Sequence, residues 1–276
     1  MPPGRPPPAS RRPGAPQALS RYALVLLTAL LGLAAPVPRP APEPGPPPAR
    51  ARPGFVARDG AGFVLDGAPF RFVGVNLYNA AGDPRIYACG STTADPDADL
   101  DAWFARLRAE TGARVLRFWA FQSYTAGGTD WRGLDRVFRL ATANGLKVIP
   151  VLENQLPDCT RGGPRLDTWY ATGFRQPDGG YPLSYAEYVR RVVARYRDEP
   201  AVMAWMLMNE AESRTAAGAA HPEPLYAFAR EVGAAVKRLD PDHLVTLGVI
   251  GSGQAGVAGT SYARLHALPS IDFAEY

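Results

Sequence analysis

Val202-Met203-Ala204-Trp205-Met206-Leu207-Met208 is an unbroken apolar run, and Asn209-Glu210 follows it directly. A strand that faces solvent on one side alternates apolar and polar residues, whereas one covered on both faces reads as continuous apolar sequence. The run therefore predicts a central strand of a parallel sheet, with two polar groups at its C-terminal end.

Similar short runs lie on either side. Candidate strands are Phe70–Leu77, Arg114–Trp119, Lys147–Leu152, Leu244–Val249 and Ile271–Phe273, six with the first. Between them, Leu100–Ala109, Asp130–Ala143, Tyr185–Tyr196 and Leu225–Leu239 repeat apolar residues at three- and four-residue intervals. Each can lay one face on a sheet as an amphipathic helix. Thr129-Asp130 can cap the second helix and Asn144-Gly145 can end it, and Ser184 with Glu187 three residues on reads as a capping box for the third. Strand and helix alternate from Gly54 onward, which predicts βα units and a parallel sheet.

Such a repeat over about 220 residues closes into a barrel or opens into a doubly wound sheet. A dinucleotide site would need G-x-G-x-x-G after the first strand. The chain has Asn76-Leu77-Tyr78-Asn79-Ala80-Ala81-Gly82 there. The reading is therefore a TIM (β/α)8-type barrel of which about the first six βα units are present, over residues 54–276.

The first fifty-odd residues differ in composition. Arg11, Arg12 and Arg21 precede an uncharged run of thirteen residues, Ala23 to Ala35, and prolines crowd residues 36–53. The run is short of the roughly 20 residues needed to cross a bilayer. The order reads as a signal peptide over 1–35 and a proline-rich linker over 36–53, with an uncleaved N-terminal anchor as the alternative. Export to the cell exterior follows, and a membrane contact only if the apolar run is retained.

The formal charge of +4 is concentrated in this leader, which holds seven Arg and one Glu. The remainder carries 23 basic and 25 acidic residues, so nothing there favours a nucleic acid. Two cysteines, Cys89 and Cys159, cannot make a four-ligand zinc site. Both fall in loops expected at the same end of the barrel, so one disulfide is the reading, with two free buried thiols as the alternative. No metal or cofactor motif is present, and oligomeric state is not legible.

Active-site groups of a barrel sit at the C-terminal ends of its strands and in the loops that follow. Those positions hold Asn76, Tyr78 and Asn79, then Arg117, Trp119 and Gln122, then Glu153, Asn154 and Gln155, and finally Asn209 and Glu210. Sugars present hydroxyls at the rim and C–H groups on the faces, which amides, charges and aromatic rings match. An oligosaccharide or polysaccharide is the ligand class this lining suits. A carboxyl just past a buried strand is partly desolvated, which suits a general acid.

Ala204-Trp205-Met206-Leu207-Met208-Asn209-Glu210 resembles the fourth-strand motif of glycoside hydrolase family 5, in clan A. Val115-Leu116-Arg117-Phe118-Trp119-Ala120-Phe121 resembles the second strand of the family's endo-β-mannanases, and Val148-Ile149-Pro150-Val151-Leu152-Glu153-Asn154 their third. The resemblance implies a retaining hydrolase of β-1,4-linked polysaccharide, mannan first and β-1,4-glucan as the alternative. It makes Glu210 the acid/base, Asn209 the holder of the sugar 2-hydroxyl and Arg117 an electrostatic support, with Trp119 and Asn154 as substrate contacts.

Ala211 stands where mannanases commonly have proline after the catalytic glutamate. The family's nucleophile lies at the end of a seventh strand, whereas the chain stops just after Ile271-Asp272-Phe273, which resembles the sixth. Neither Glu153 nor Glu275 takes the matching position. The expectation is an incomplete barrel, inactive alone, and a non-catalytic carbohydrate-binding remnant is the reading from another class.

Overall fold

The structure is a computed structural model, and it describes residues 52–87, 89 and 95–276. The leader and most of the linker lie outside the described residues. Among those described, no helix is long and apolar enough to cross a membrane.

The chain enters through β1 (Val56–Asp59), β2 (Gly62–Leu65) and β3 (Ala68–Pro69), an antiparallel meander. Five parallel strands follow in sequence order: β4 (Gly74–Asn76), β5 (Val115–Trp119), β6 (Lys147–Val151), β7 (Ala204–Met206) and β8 (Leu244–Thr246). Register is fixed by pairs such as Asn76 with Arg117, Trp119 with Val151, and Met206 with both Val151 and Thr246. Parallel pairing of consecutive strands across helical crossovers is the barrel arrangement. The βα sheet read from the sequence is present.

Besides the shortening of Val202–Met208 to Ala204–Met206 and of Leu244–Val249 to Leu244–Thr246, three corrections concern boundaries. Of Phe70–Leu77 only Gly74–Asn76 forms regular strand, and single bonds extend the pairing, Arg114 N to Val73 O and Leu77 N to Arg117 O. Ile271–Phe273 is not a regular strand. It lies beside β8 through Asp272 N to Val245 O, Asp272 Oδ2 accepting from Val245 N, and Phe273 O accepting from Thr246 Oγ1. The Asp272 carboxylate takes the amide that a regular ladder would use. Third, Trp131 rather than Thr129-Asp130 holds the cap position of the second helix, although Asp130 Oδ1 accepts from Arg132 N at 3.1 Å.

The four expected helices are α1 (Pro96–Thr111), α2 (Arg132–Ala143), α4 (Tyr185–Tyr196) and α5 (Pro222–Leu239). The first is longer than its apolar pattern because Asp95 accepts from Ala98 N, proline begins it, and Gly112 in the left-handed region ends it. Ser184 caps α4 by accepting from Glu187 N. Two short helices, α3 (Asp167–Ala171) and α6 (Thr260–His266), were not anticipated, since five and seven residues carry little periodicity.

The helices cover the sheet with their apolar faces. Val189, Val192 and Val193 of α4 and Leu225, Phe228 and Val232 of α5 are buried with the strands β5 to β8 in one core. Two tyrosines of α4 tie it to strand ends, Tyr185 Oη donating to Leu207 O at 2.6 Å and Tyr188 Oη to Ala120 O at 2.6 Å. Each gives a buried hydroxyl a partner, which avoids the cost of an unpaired polar group.

Candidate active site

The C-terminal ends of β4, β5, β7 and β8 border a cavity of 380 Å³ lined by Asn76, Arg117, Ile149, Met206, Asn209, Glu210, Gly248, Val249, Ile250 and Glu275. Three of the five anticipated side chains are among them.

Arg117 is the middle residue of β5 and points to the side where Asn76 and Asn209 lie. Its Nη1 donates to Asn76 Oδ1 at 3.1 Å and its Nη2 to Asn209 Oδ1 at 2.6 Å, while Nε lies 3.2 Å from Met206 Sδ. Burial lowers its pKa, and the carboxylates of Glu275 and Glu210 act in the opposite sense. A guanidinium remains charged throughout, so the cavity has a fixed positive group.

Asn209 is 7% exposed. Its Nδ2 donates to Asn154 Oδ1 at 2.8 Å, its backbone N donates to Glu153 O at 2.7 Å, and its O accepts from Gln155 N at 3.0 Å. With the oxygen taken by Arg117 and one hydrogen by Asn154, the second Nδ2 hydrogen is left for another acceptor.

Glu210 follows with φ of +55°, in the left-handed region unusual for residues other than glycine. Its neighbours hold it there. Ala211 N donates to Gly248 O at 2.9 Å and Gln254 Nε2 donates to Glu210 O at 3.0 Å. Gly248 has φ of +93°, and a Cβ on it would collide with the Met208 carbonyl. The half-buried Glu210 carboxyl has no hydrogen bond or ion pair among the described residues.

The other two anticipated residues are placed differently. Asn154 is 1% exposed and does not border the cavity; its oxygen is occupied by Asn209 and its Nδ2 donates to Asp158 O at 3.0 Å. Trp119 ends β5 outside the cavity lining. Its ring is stacked on Phe121 at 5.0 Å and tilted against Tyr78 at 4.7 Å, with its buried Nε1 unpartnered among the described residues.

Glu275 was not singled out from the sequence as a site residue. Burial raises its pKa to about 7, against the pull of Arg117. Its only sequence signal is the spacing of two residues from Phe273, which keeps it on one side of an extended segment. Behind Asn209 lies a buried polar brace. Glu153 accepts from Asn154 N at 2.8 Å and Thr160 Oγ1 at 2.6 Å, and Arg165 Nη2 stands 3.4 Å from its second oxygen.

Residues 185–276 match a family model described as GH family 5 beta-mannosidase-like. The probable mannan endo-1,4-beta-mannosidase C of Aspergillus terreus is 30% identical over 271 residues, covering 80% of this chain and 63% of that protein. The probable mannan endo-1,4-beta-mannosidase F of Neosartorya fischeri is 28% identical over 260 residues, 79% of this chain and 52% of its own length. The chain thus spans between about half and two thirds of these relatives.

Among solved structures, the endo-1,4-beta-mannanase from Rhizomucor miehei superposes with a TM-score of 0.59 at 22% identity, covering 80% of this chain and 70% of that one. The endo-1,4-beta-D-mannanase from Thermotoga petrophila gives a TM-score of 0.55 at 23% identity, covering 74% and 67%. At these identities the match is one of fold.

Proposed function

We propose that the chain is a member of glycoside hydrolase family 5, the family its partial matches point to, and that it works in a retaining hydrolysis of β-1,4-linked mannan, with Glu210 as general acid/base. The observation that carries this reading is the linked set of Arg117, Asn209 and Asn154, which holds an amide beside the unpaired carboxyl of Glu210.

In the first step Glu210 protonates the leaving glycosidic oxygen, and in the second it takes a proton from the attacking water. The spare Nδ2 hydrogen of Asn209 suits the sugar 2-hydroxyl, whose hydrogen bond strengthens as the oxocarbenium-like transition state forms. Arg117 contributes positive potential where the partner carboxylate acts. By the family resemblance that carboxylate stands at the end of a seventh strand, beyond the five described. The tilted rings of Tyr78 and Trp119, outside the cavity lining, are apolar surface that a sugar extending beyond the cavity would meet.

The relatives described above are named for mannan, which weighs for mannan over β-1,4-glucan. Export of the protein fits the composition of the leader and the disulfide between Cys89 and Cys159.

The test is release of reducing sugar from mannan, cellulose and xylan by the full-length protein. Mannan should be preferred, and Glu210→Gln should lower turnover by about 100-fold or more, the scale of lost general acid/base catalysis. An aryl mannoside with a dinitrophenol leaving group needs little acid assistance, so its burst of phenol should persist in the variant. Preference for cellulose would replace the substrate, and sugar binding without turnover would favour a carbohydrate-binding remnant.

A further inference from the structure

We propose that Glu153 is a positioning residue, whose carboxylate fixes the orientation in which Asn209 presents its free N–H to the sugar. The inference rests on the reading of Asn209 as a holder of the sugar 2-hydroxyl.

Glu153 lies two residues past the end of β6, is 3% exposed and has no part in the chemistry above. Removing a carboxylate from water is unfavourable unless donors replace the water. Oε1 receives two of them, the backbone N of Asn154 and Oγ1 of Thr160. The first bond fixes the peptide from which the Asn154 side chain projects. That side chain supplies the acceptor for Asn209 Nδ2, and the carbonyl of Glu153 accepts from the Asn209 backbone N. The Asn209 amide is thereby oriented with its oxygen to Arg117 and its nitrogen to Asn154. A reversed amide would set its NH2 against the Arg117 guanidinium and its oxygen against the Asn154 oxygen.

Charge neutralisation of Arg165 is the competing account of Glu153. Arg165 already has Asp178 at 2.5 Å, closer than Glu153 at 3.4 Å. Nor does it explain why Oε1 is directed at the Asn154 amide. The brace is also anchored from outside: Thr160 adjoins Cys159, whose carbonyl accepts from Ser123 Oγ at 2.8 Å, and the Thr160 and Tyr181 hydroxyls share a bond at 3.1 Å. The loop after β6 therefore holds Glu153 still, and Glu153 holds the amide.

The experiment is calorimetric titration of the protein with β-1,4-mannotriose and with the same trisaccharide lacking its 2-hydroxyls. Wild type should prefer the parent sugar by about tenfold, the scale of one hydrogen bond to a group that is otherwise left unpaired. In Glu153→Gln most of that preference should vanish through weaker binding of the parent sugar, with the deoxy sugar changed by less than about twofold. Asn154→Ala leaves the Glu153–Arg165 pair intact and should give the same pattern, so it serves if the first variant does not fold. Equal weakening of both sugars, or a preference unchanged from wild type, overturns the role of Glu153. Failure of wild type to bind either sugar would instead overturn the sugar site itself.

Discussion

Glu210 and Glu275 line one cavity beside the Arg117 guanidinium, and their surroundings suit different duties. Glu210 is half-buried and unpaired, open to a ligand, whereas Oε2 of Glu275 is buried without a partner among the described residues. Burial raises the Glu275 carboxyl from 4.5 to about 7, with Arg117 opposing. A carboxyl raised on folding favours the native state while protonated. Its contribution is complete below about 4.5 and fades as pH rises through about 7. Thermal melts of wild type and Glu275→Gln between pH 4 and 8 test this. The stability of wild type relative to the variant should fall across that interval, and a constant difference would mean that the carboxyl is solvated. That Arg117, Asn209 and Glu210 come together at one cavity was legible because strand ends can be located from apolar runs. Glu275, and the burial of Asn154, were not, because both depend on how loops fold over the strand ends.

The loops after β4 and β6 carry the site's supports, and each is tied down by more than its own strand. Asp83 is fully buried, with Arg136 of α2 at 3.1 Å and Arg85 at 2.7 Å. Cys89 and Cys159 are joined as a disulfide with Cα atoms 5.5 Å apart, across 70 residues of sequence. Closing a loop of that length restricts the unfolded chain by about 4 kcal/mol in the entropic account. Reduction should therefore lower the midpoint of urea unfolding without changing its slope greatly. Thiol titration of denatured, unreduced protein provides the direct check, and two reactive thiols would refute the bridge. The pairing was anticipated from the barrel, since loops leaving the C-terminal ends of parallel strands share one end, and β4 and β6 are separated only by β5. The meander β1 to β3 was not, because strands of two to four residues leave no readable alternation.

At the scale of the whole described unit, the two ends of the parallel sheet divide the work. Parallel strands place every C-terminal end on one side, where the cavity lies, and leave the opposite side to packing. There Asp240, 1% exposed, accepts from Trp205 Nε1 at 2.7 Å and from His243 N at 3.1 Å, and its Oδ2 stands 2.6 Å from His243 Nδ1. Phe55, just before β1, lies on the His243 ring at 4.6 Å, and Lys147 Nζ donates to Gly54 O and Pro200 O, both at 2.7 Å. The chain's entry thus closes the N-terminal side over a buried charged cluster. Burial alone would raise the Asp240 pKa, but the bonds from His243 and Trp205 outweigh it and hold the group below 3.8. Its stabilising contribution is present above that pH and is lost on further acidification. Asp240→Asn keeps the size and one acceptor but removes the charge, leaving His243 and Trp205 with a poorer partner. A loss of about 3 kcal/mol in urea unfolding at neutral pH is expected, the lower end of the cost of breaking a buried pair. Affinity for mannotriose should stay within about twofold of wild type, because no Asp240 bond reaches Asn209, Glu210 or Arg117. A variant that is stable but binds the sugar poorly would show that the two ends are coupled, and the division would not hold.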